Sequence, residues 1–164
     1  MVIFILMSSQ NQPRSIEILP LKGLNVLEFG CDCEKALSIL GEPEEKETLK
    51  DDVLNADSEV FHYWEKGISL FFNRQSGLKL TCIEVDCADA TLFGKLIFEL
   101  REKKIIELFR ENKFEVTETE THDWGEKRVS FDDALMDLYF ENGKLISINF
   151  GFFPDEPSFY FFPN

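Results

Sequence analysis

A helix with a marked start and a marked stop, followed by short apolar runs parted by glycines, constrains this chain more than any other feature. Asp32 carries the short acceptor side chain favoured at a helix N-cap. Residues 33–40 then place Ala36, Leu37, Ile39 and Leu40 at helical spacing. Gly41 suits the left-handed C′ position and Pro43 forbids another turn. The acidic stretch 44–57 reads as a loop. Beyond it lie three strand-like runs, 60–64, 68–72 and 78–85, with Gly67 and Gly77 in the connections, where positive φ costs little. A helix leads into an antiparallel meander.

The second half repeats the plan. Residues 101–112 predict a longer helix with Ile105, Ile106, Leu108 and Phe109 on its inner side. Residues 115–121 read as an edge strand and 127–131 as a short strand. Runs 135–140 and 145–150 flank Asn142-Gly143, which suits a type I′ hairpin turn. The apolar pattern of 36–40 matches that of 105–109, Ser69-Leu70-Phe71-Phe72 matches Asp137-Leu138-Tyr139-Phe140, and Leu80, Ile83 and Val85 match Leu145, Ile148 and Phe150. One duplicated helix-plus-meander unit accounts for all three matches; the competing reading is that any two such helices and hairpins align this way. With strands expected at 16–19 and 93–98, the fold class is α+β: one antiparallel sheet, two principal helices on one face, the other face open to water or a partner. The expected divisions are a flexible start at 1–14, a first repeat at 15–88, a second at 89–153 and an aromatic tail at 154–164, all in one compact domain.

Charge narrows the partners. The chain of 164 residues carries 31 acidic and 17 basic side chains, a formal net charge of -14. That field repels phosphate backbones and anionic lipid headgroups, so neither nucleic acid nor a membrane is expected. It draws in basic surfaces, although acidity also serves plain solubility. Seventeen phenylalanines supply large buried area for a core. The opening MVIFILM is too short to span a bilayer and lacks a signal peptide's positive flank. Met7 before a polar run reads as a natural start, and a cytoplasmic location is expected.

The combination Leu40-Gly41-Glu42-Pro43, Gly67-Ile68-Ser69-Leu70-Phe71-Phe72 and Ile83-Glu84-Val85 resembles the repeat of the β-lactamase-inhibitor-protein-like (BLIP-like) families. These include protein inhibitors, envelope-assembly lipoproteins and many uncharacterised bacterial proteins. The resemblance implies an α+β fold that binds other proteins and transfers no catalytic residue. The second half lacks the Leu-Gly-x-Pro ending, and the chain has no lipobox.

A search for chemistry yields little. Cys31, Cys33, Cys82 and Cys87 have neither C-x2-C spacing nor the number of a disulfide scaffold, and Cys82 sits mid-strand as a small hydrophobe. A Cys33–Cys87 disulfide needs the loops to meet. His62 reads as a half-buried strand residue on the face of Val60 and Trp64. His122-Asp123-Trp124-Gly125 reads as a turn, and Phe93-Gly94-Lys95 lacks the pattern of a phosphate loop. No catalytic residue, metal ligand set or cofactor is expected.

The leading expectation is therefore a non-catalytic protein-binding module, specifically an acidic immunity-type inhibitor of a basic toxin. Its contact surface is placed at Glu44, Glu45, Asp51 and Asp52 and at Glu118 and Glu120. The tail aromatics Phe159, Tyr160, Phe161 and Phe162 either complete the core or form an interface, for dimerisation or for capture of another protein. Two further readings are a small metal-dependent hydrolase using His122, Asp123 and Asp132, and a self-associating structural protein.

Overall fold

The computed structural model describes residues 15–51 and 56–151, so the expected start at 1–14 and the aromatic tail lie outside the described residues. Strands β1 (Glu17–Leu19), β2 (Gly23–Leu24) and β3 (Leu27–Glu28) precede helix α1 (Cys33–Leu40). The Asp32 carboxylate caps α1, accepting the Lys35 N–H at 2.9 Å. Gly41 leaves the helix with φ 81° and ψ −167° rather than the expected left-handed pair. This region is open to glycine alone, and it sends the chain straight into an extended path.

That path is strand β4 (Glu45–Asp51), where the sequence reads as a loop. It pairs antiparallel with β5 (Ala56–Tyr63). The correction has a simple cause: both faces of an edge strand can be charged, so no apolar alternation announces it. A one-turn 3-10 helix at Trp64–Lys66 joins β5 to β6 (Ile68–Asn73), which pairs with β7 (Lys79–Val85). Gly67 has φ 65° at this junction, and a Cβ there would meet the Cys87 backbone at 2.9 Å.

The chain continues through β8 (Thr91–Leu92), β9 (Lys95–Leu96), a 3-10 turn at Ile97–Glu99 and helix α2 (Glu102–Glu111). Strands β10 (Glu118–Thr121), β11 (Glu126–Phe131), β12 (Met136–Glu141) and β13 (Lys144–Gly151) follow, with a 3-10 turn at Asp132–Ala134 between β11 and β12. Asn142 and Gly143 both have positive φ, as a type I′ hairpin turn requires.

Two sheets form where one was expected. The main one has eight strands in the order β10-β11-β12-β13-β7-β6-β5-β4, every neighbouring pair antiparallel. The segments ahead of the helices do not join it. They pair with each other in a small sheet, β3-β2-β1-β8-β9, in which β1 and β8 run parallel. Residues 93–98 are not one strand because Phe93 and Gly94 both take positive φ and fold the chain into a hairpin.

The α+β class holds: a layer of two helices and the small sheet covers one face of the large sheet. That face carries Phe61, Tyr63, Leu70, Phe72, Ile83, Val85, Leu138, Phe140, Ile148 and Phe150, all buried. Phe109 of α2 is fully buried and stacks on Phe131 of β11, ring centroids 4.0 Å apart. At the other helix the Tyr63 hydroxyl donates to the Gly41 carbonyl at 2.9 Å. Phe29, just after β3, packs edge-on to Phe150. Of the four inner residues expected on α2, Ile105, Leu108 and Phe109 are buried and Ile106 is half-buried. Phe109→Ala removes a ring from the middle of this layer and should lower the unfolding free energy by about 3–5 kcal/mol in denaturant titration.

Candidate functional site

The face of the large sheet turned away from the helices, which no described helix or strand covers, owes its character to register. Pairing places Glu45, His62, Ser69, Glu84, Asn149, Asp137, Ser130 and Glu118 side by side, one from each of the eight strands. Every member of this row is polar. Strand alternation turns their apolar neighbours into the core and leaves the row facing away from the helices.

On the β4–β5–β6 side the row is locked by a short relay. His62 Nε2 lies 2.9 Å from Glu47 Oε2, and Nδ1 lies 2.8 Å from Ser69 Oγ. An ionised carboxylate only accepts, so Nε2–H donates to Glu47, and Ser69 Oγ is the partner of Nδ1. On the β10–β11–β12 side Arg128 is the hub. It donates to Ser130 Oγ at 2.8 Å and to Glu120 Oε2 at 2.7 Å, with Glu118 at 3.3 Å and Asp137 at 3.6 Å. Ser130 Oγ in turn donates to Asp137 at 2.5 Å. The Arg128 hydrogen bond, helped by His122, holds the Glu120 carboxyl below its ordinary range.

Two tryptophans stand at the ends of this face. Trp64 leaves β5 in the 3-10 turn and lies flat on His62, centroids 4.3 Å apart and planes 7° apart. Its Nε1–H donates to Glu45 at 3.2 Å. Trp124 stacks on His122 in the same way, at 4.4 Å and 4°. Both are exposed, at 57% and 71%, yet each is held in place by its histidine. Stacked, pre-ordered aromatic rings bring large contact area at small entropic cost, which is why tryptophan dominates interface energetics.

The centre of the row is different. Glu84 is half-buried on β7, one of the two middle strands, and among the described residues its carboxylate has no hydrogen bond and no ion pair. Desolvation pushes its carboxyl up, Asp86 adds to this, and His62 pulls the other way. It lines a shallow pocket of about 260 Å³ with Glu126, Tyr139, Ile146, Ser147 and Asn149. Asn149 Oδ1 is already used by the Cys82 thiol, which donates at 2.7 Å.

The acidic contact residues expected from the sequence do not form one patch. Glu45 begins β4 and Glu118 begins β10, the two opposite edges of the sheet. Seven strand spacings separate them, roughly 33 Å along the sheet. Glu44 accepts the Glu65 N–H at 3.2 Å, and backbone hydrogen bonds hold its carboxyl down. Glu120 sits beside Glu118 on the edge strand, tied to Arg128. Asp51 ends β4, while Asp52, Phe159, Tyr160, Phe161 and Phe162 lie outside the described residues. The sequence reading missed Trp64 and Trp124 as site residues; their shared His-x-Trp spacing was the available signal.

The residues of the hydrolase reading are not brought together. His122–Gly125 form the turn after β10, whereas Asp132 lies past the far end of β11. Six strand residues intervene, roughly 20 Å. Among the described residues no group of three or more His, Cys, Asp or Glu side chains is placed to hold a metal ion. The four cysteines are free thiols. Burial pushes Cys82 up to about 12 and Cys31 up to about 11, and raises Cys33 and Cys87, so none is a ready thiolate at neutral pH. Among the described residues no helix is long and apolar enough to cross a membrane.

No family model, no curated protein and no solved structure matches this chain.

The raised Glu84 carboxyl makes a testable statement about stability. Above its folded-state pKa the folded protein carries an uncompensated half-buried charge, and this cost vanishes as pH falls below the ordinary value of 4.5. Glu84→Gln should therefore melt higher than the parent at neutral pH, and the difference should close below that value.

Proposed function

We propose that this protein is a non-catalytic binding module whose open sheet face docks a basic protein, acting in the bacterial cytoplasm as an acidic immunity-type inhibitor of a basic toxin. The observation that carries the reading is the face of the eight-stranded sheet that no described element covers, polar along its centre and framed by the exposed Trp64 and Trp124. A face stabilised by its own hydrogen bonds and flanked by fixed aromatic rings is suited to a second protein surface. The net charge of -14 supplies the complementarity that speeds encounter with a basic partner and rejects anionic ones.

The same proposal takes the chain to be a pseudo-duplicated pair of helix-plus-meander units of the BLIP-like kind. Support comes from element order. Each half runs helix, edge strand, strand, one-turn 3-10 helix, strand, strand, and the two halves meet at β7 and β13. The self-associating alternative rests on the aromatic tail, outside the described residues, and edge pairing lends it no support, since β4 and β10 present Glu45, Lys46, Glu47, Glu118 and Glu120, charges that discourage strand addition.

Affinity capture from the native host tests the proposal, with the parent and Trp64→Ala/Trp124→Ala compared on the same lysate. A basic protein should be retained by the parent, elute as salt rises, and bind the double variant at least about tenfold more weakly. Equal retention by both proteins, or a retained partner indifferent to salt, would contradict it.

A further inference from the structure

The open face is unevenly compensated, and the uneven point is at its centre. His62 is matched with Glu47 on one flank, and Arg128 with Glu118, Glu120 and Asp137 on the other. Glu84, between them, has no ion pair among the described residues, although His62 draws its carboxyl down against the larger effect of burial. A carboxylate that gives up part of its hydration without gaining a partner weakens the fold. Such a group in the middle of an otherwise satisfied network is expected where the compensating charge comes from outside.

The surroundings of Glu84 say what kind of charge that is. The pocket of about 260 Å³ is smaller than the sites of drug-sized ligands, which begin near about 300 Å³, and it is open to solvent. It has room for the head of one side chain. Its wall carries a second carboxylate, Glu126, and the ring of Tyr139, while the Tyr139 and Ser147 hydroxyls make no hydrogen bond among the described residues. Burial and the Asp137 charge also keep the Tyr139 hydroxyl protonated, with Arg128 opposing. A planar cation able to pair with a carboxylate through two N–H groups and to lie against an aromatic ring matches this lining; a guanidinium does both.

We propose that the Glu84 pocket receives an arginine side chain of the docked protein, with Glu84 as its counter-ion and Tyr139 as the ring beside it. The inference rests on the open face being the binding surface and adds the chemical identity of the group inserted at its centre. The larger groove of about 500 Å³ over α2 lacks this imbalance: Arg101 donates to the Asn142 carbonyl, Arg110 pairs with Glu115, and Glu102 and Glu107 share its wall.

The test uses a probe in place of the partner. The ¹⁵N-labelled protein is titrated at low salt with the tripeptide N-acetyl-Gly-Arg-Gly-amide, and separately with its norleucine counterpart. The arginine peptide should give saturable shifts centred on the amides of Glu84, Tyr139, Ser147 and Asn149, and the norleucine peptide none. Glu84→Gln should weaken the response by about tenfold while leaving the spectrum otherwise that of a folded protein. An unchanged response in Glu84→Gln, or shifts spread equally over the acidic edges at Glu45 and Glu118, would overturn the arginine site. Its failure is separable from that of the binding reading. Loss of capture by the tryptophan variant alongside an unaltered Glu84→Gln titration rejects only the pocket, whereas a Glu84-dependent titration with no salt-sensitive capture rejects only the docked basic protein.

Discussion

Four residue pairs, Ile148 with Val85, Asn149 with Glu84, Phe150 with Ile83 and Gly151 with Cys82, join the two four-stranded halves of the large sheet. Every other feature of the molecule depends on that register. It turns Ile83, Val85, Ile148 and Phe150 into the core beneath the helices, where all four are buried. It turns Cys82, Glu84 and Asn149 to the opposite side. A slip of one residue would turn one strand over relative to the other, exposing Ile83 and Val85 and burying Glu84, or exposing Ile148 and Phe150 and burying Asn149, so the hydrophobic effect fixes the alignment strongly. The polar row across the open face is a consequence of that core.

The two flanks of the row solve the problem of half-buried charge by internal pairing, and in both cases the solution also fixes a tryptophan. His62 is held by Glu47 and Ser69 and carries Trp64 on its face. His122 lies 3.6 Å from Glu120, itself bound to Arg128, and carries Trp124. Electrostatics on this surface thus do structural work locally on both flanks, while Glu84 at the centre has no hydrogen bond or ion pair among the described residues. Carboxylates such as Glu45, Glu47, Glu118 and Glu120 stand on the two edge strands, where charge disfavours pairing with other chains.

Much of the fold was legible in the sequence because its signals are local. Asp32, Gly41 and Pro43 bracket α1, the apolar stripe of 105–109 marks α2, and Gly67 and Asn142-Gly143 place turns that the structure contains. Strand β4 was missed because Glu45-Lys46-Glu47 on an edge strand offers no buried face to alternate. The small sheet was missed because its strands are two or three residues long and depend on β1 meeting β8, a pairing across more than seventy residues of chain. The site was the least legible part. Glu84, Tyr139 and Asn149 are neighbours only through strand pairing, and Trp64 faces the site only because the chain leaves β5 in a tight turn. Composition can announce an acidic surface but cannot say which carboxylate lacks a cation.

Hydroxyl-radical footprinting of the protein, free and bound to the partner captured from its host, tests the central claim most directly. Trp64, Trp124 and Tyr139 on the open face should lose reactivity in the complex, while Ile39 on α1 and Leu96 of the small sheet, both exposed on the opposite side, keep theirs. Protection of Ile39 and Leu96 with both tryptophans still reactive would place the partner over the helices and contradict the account.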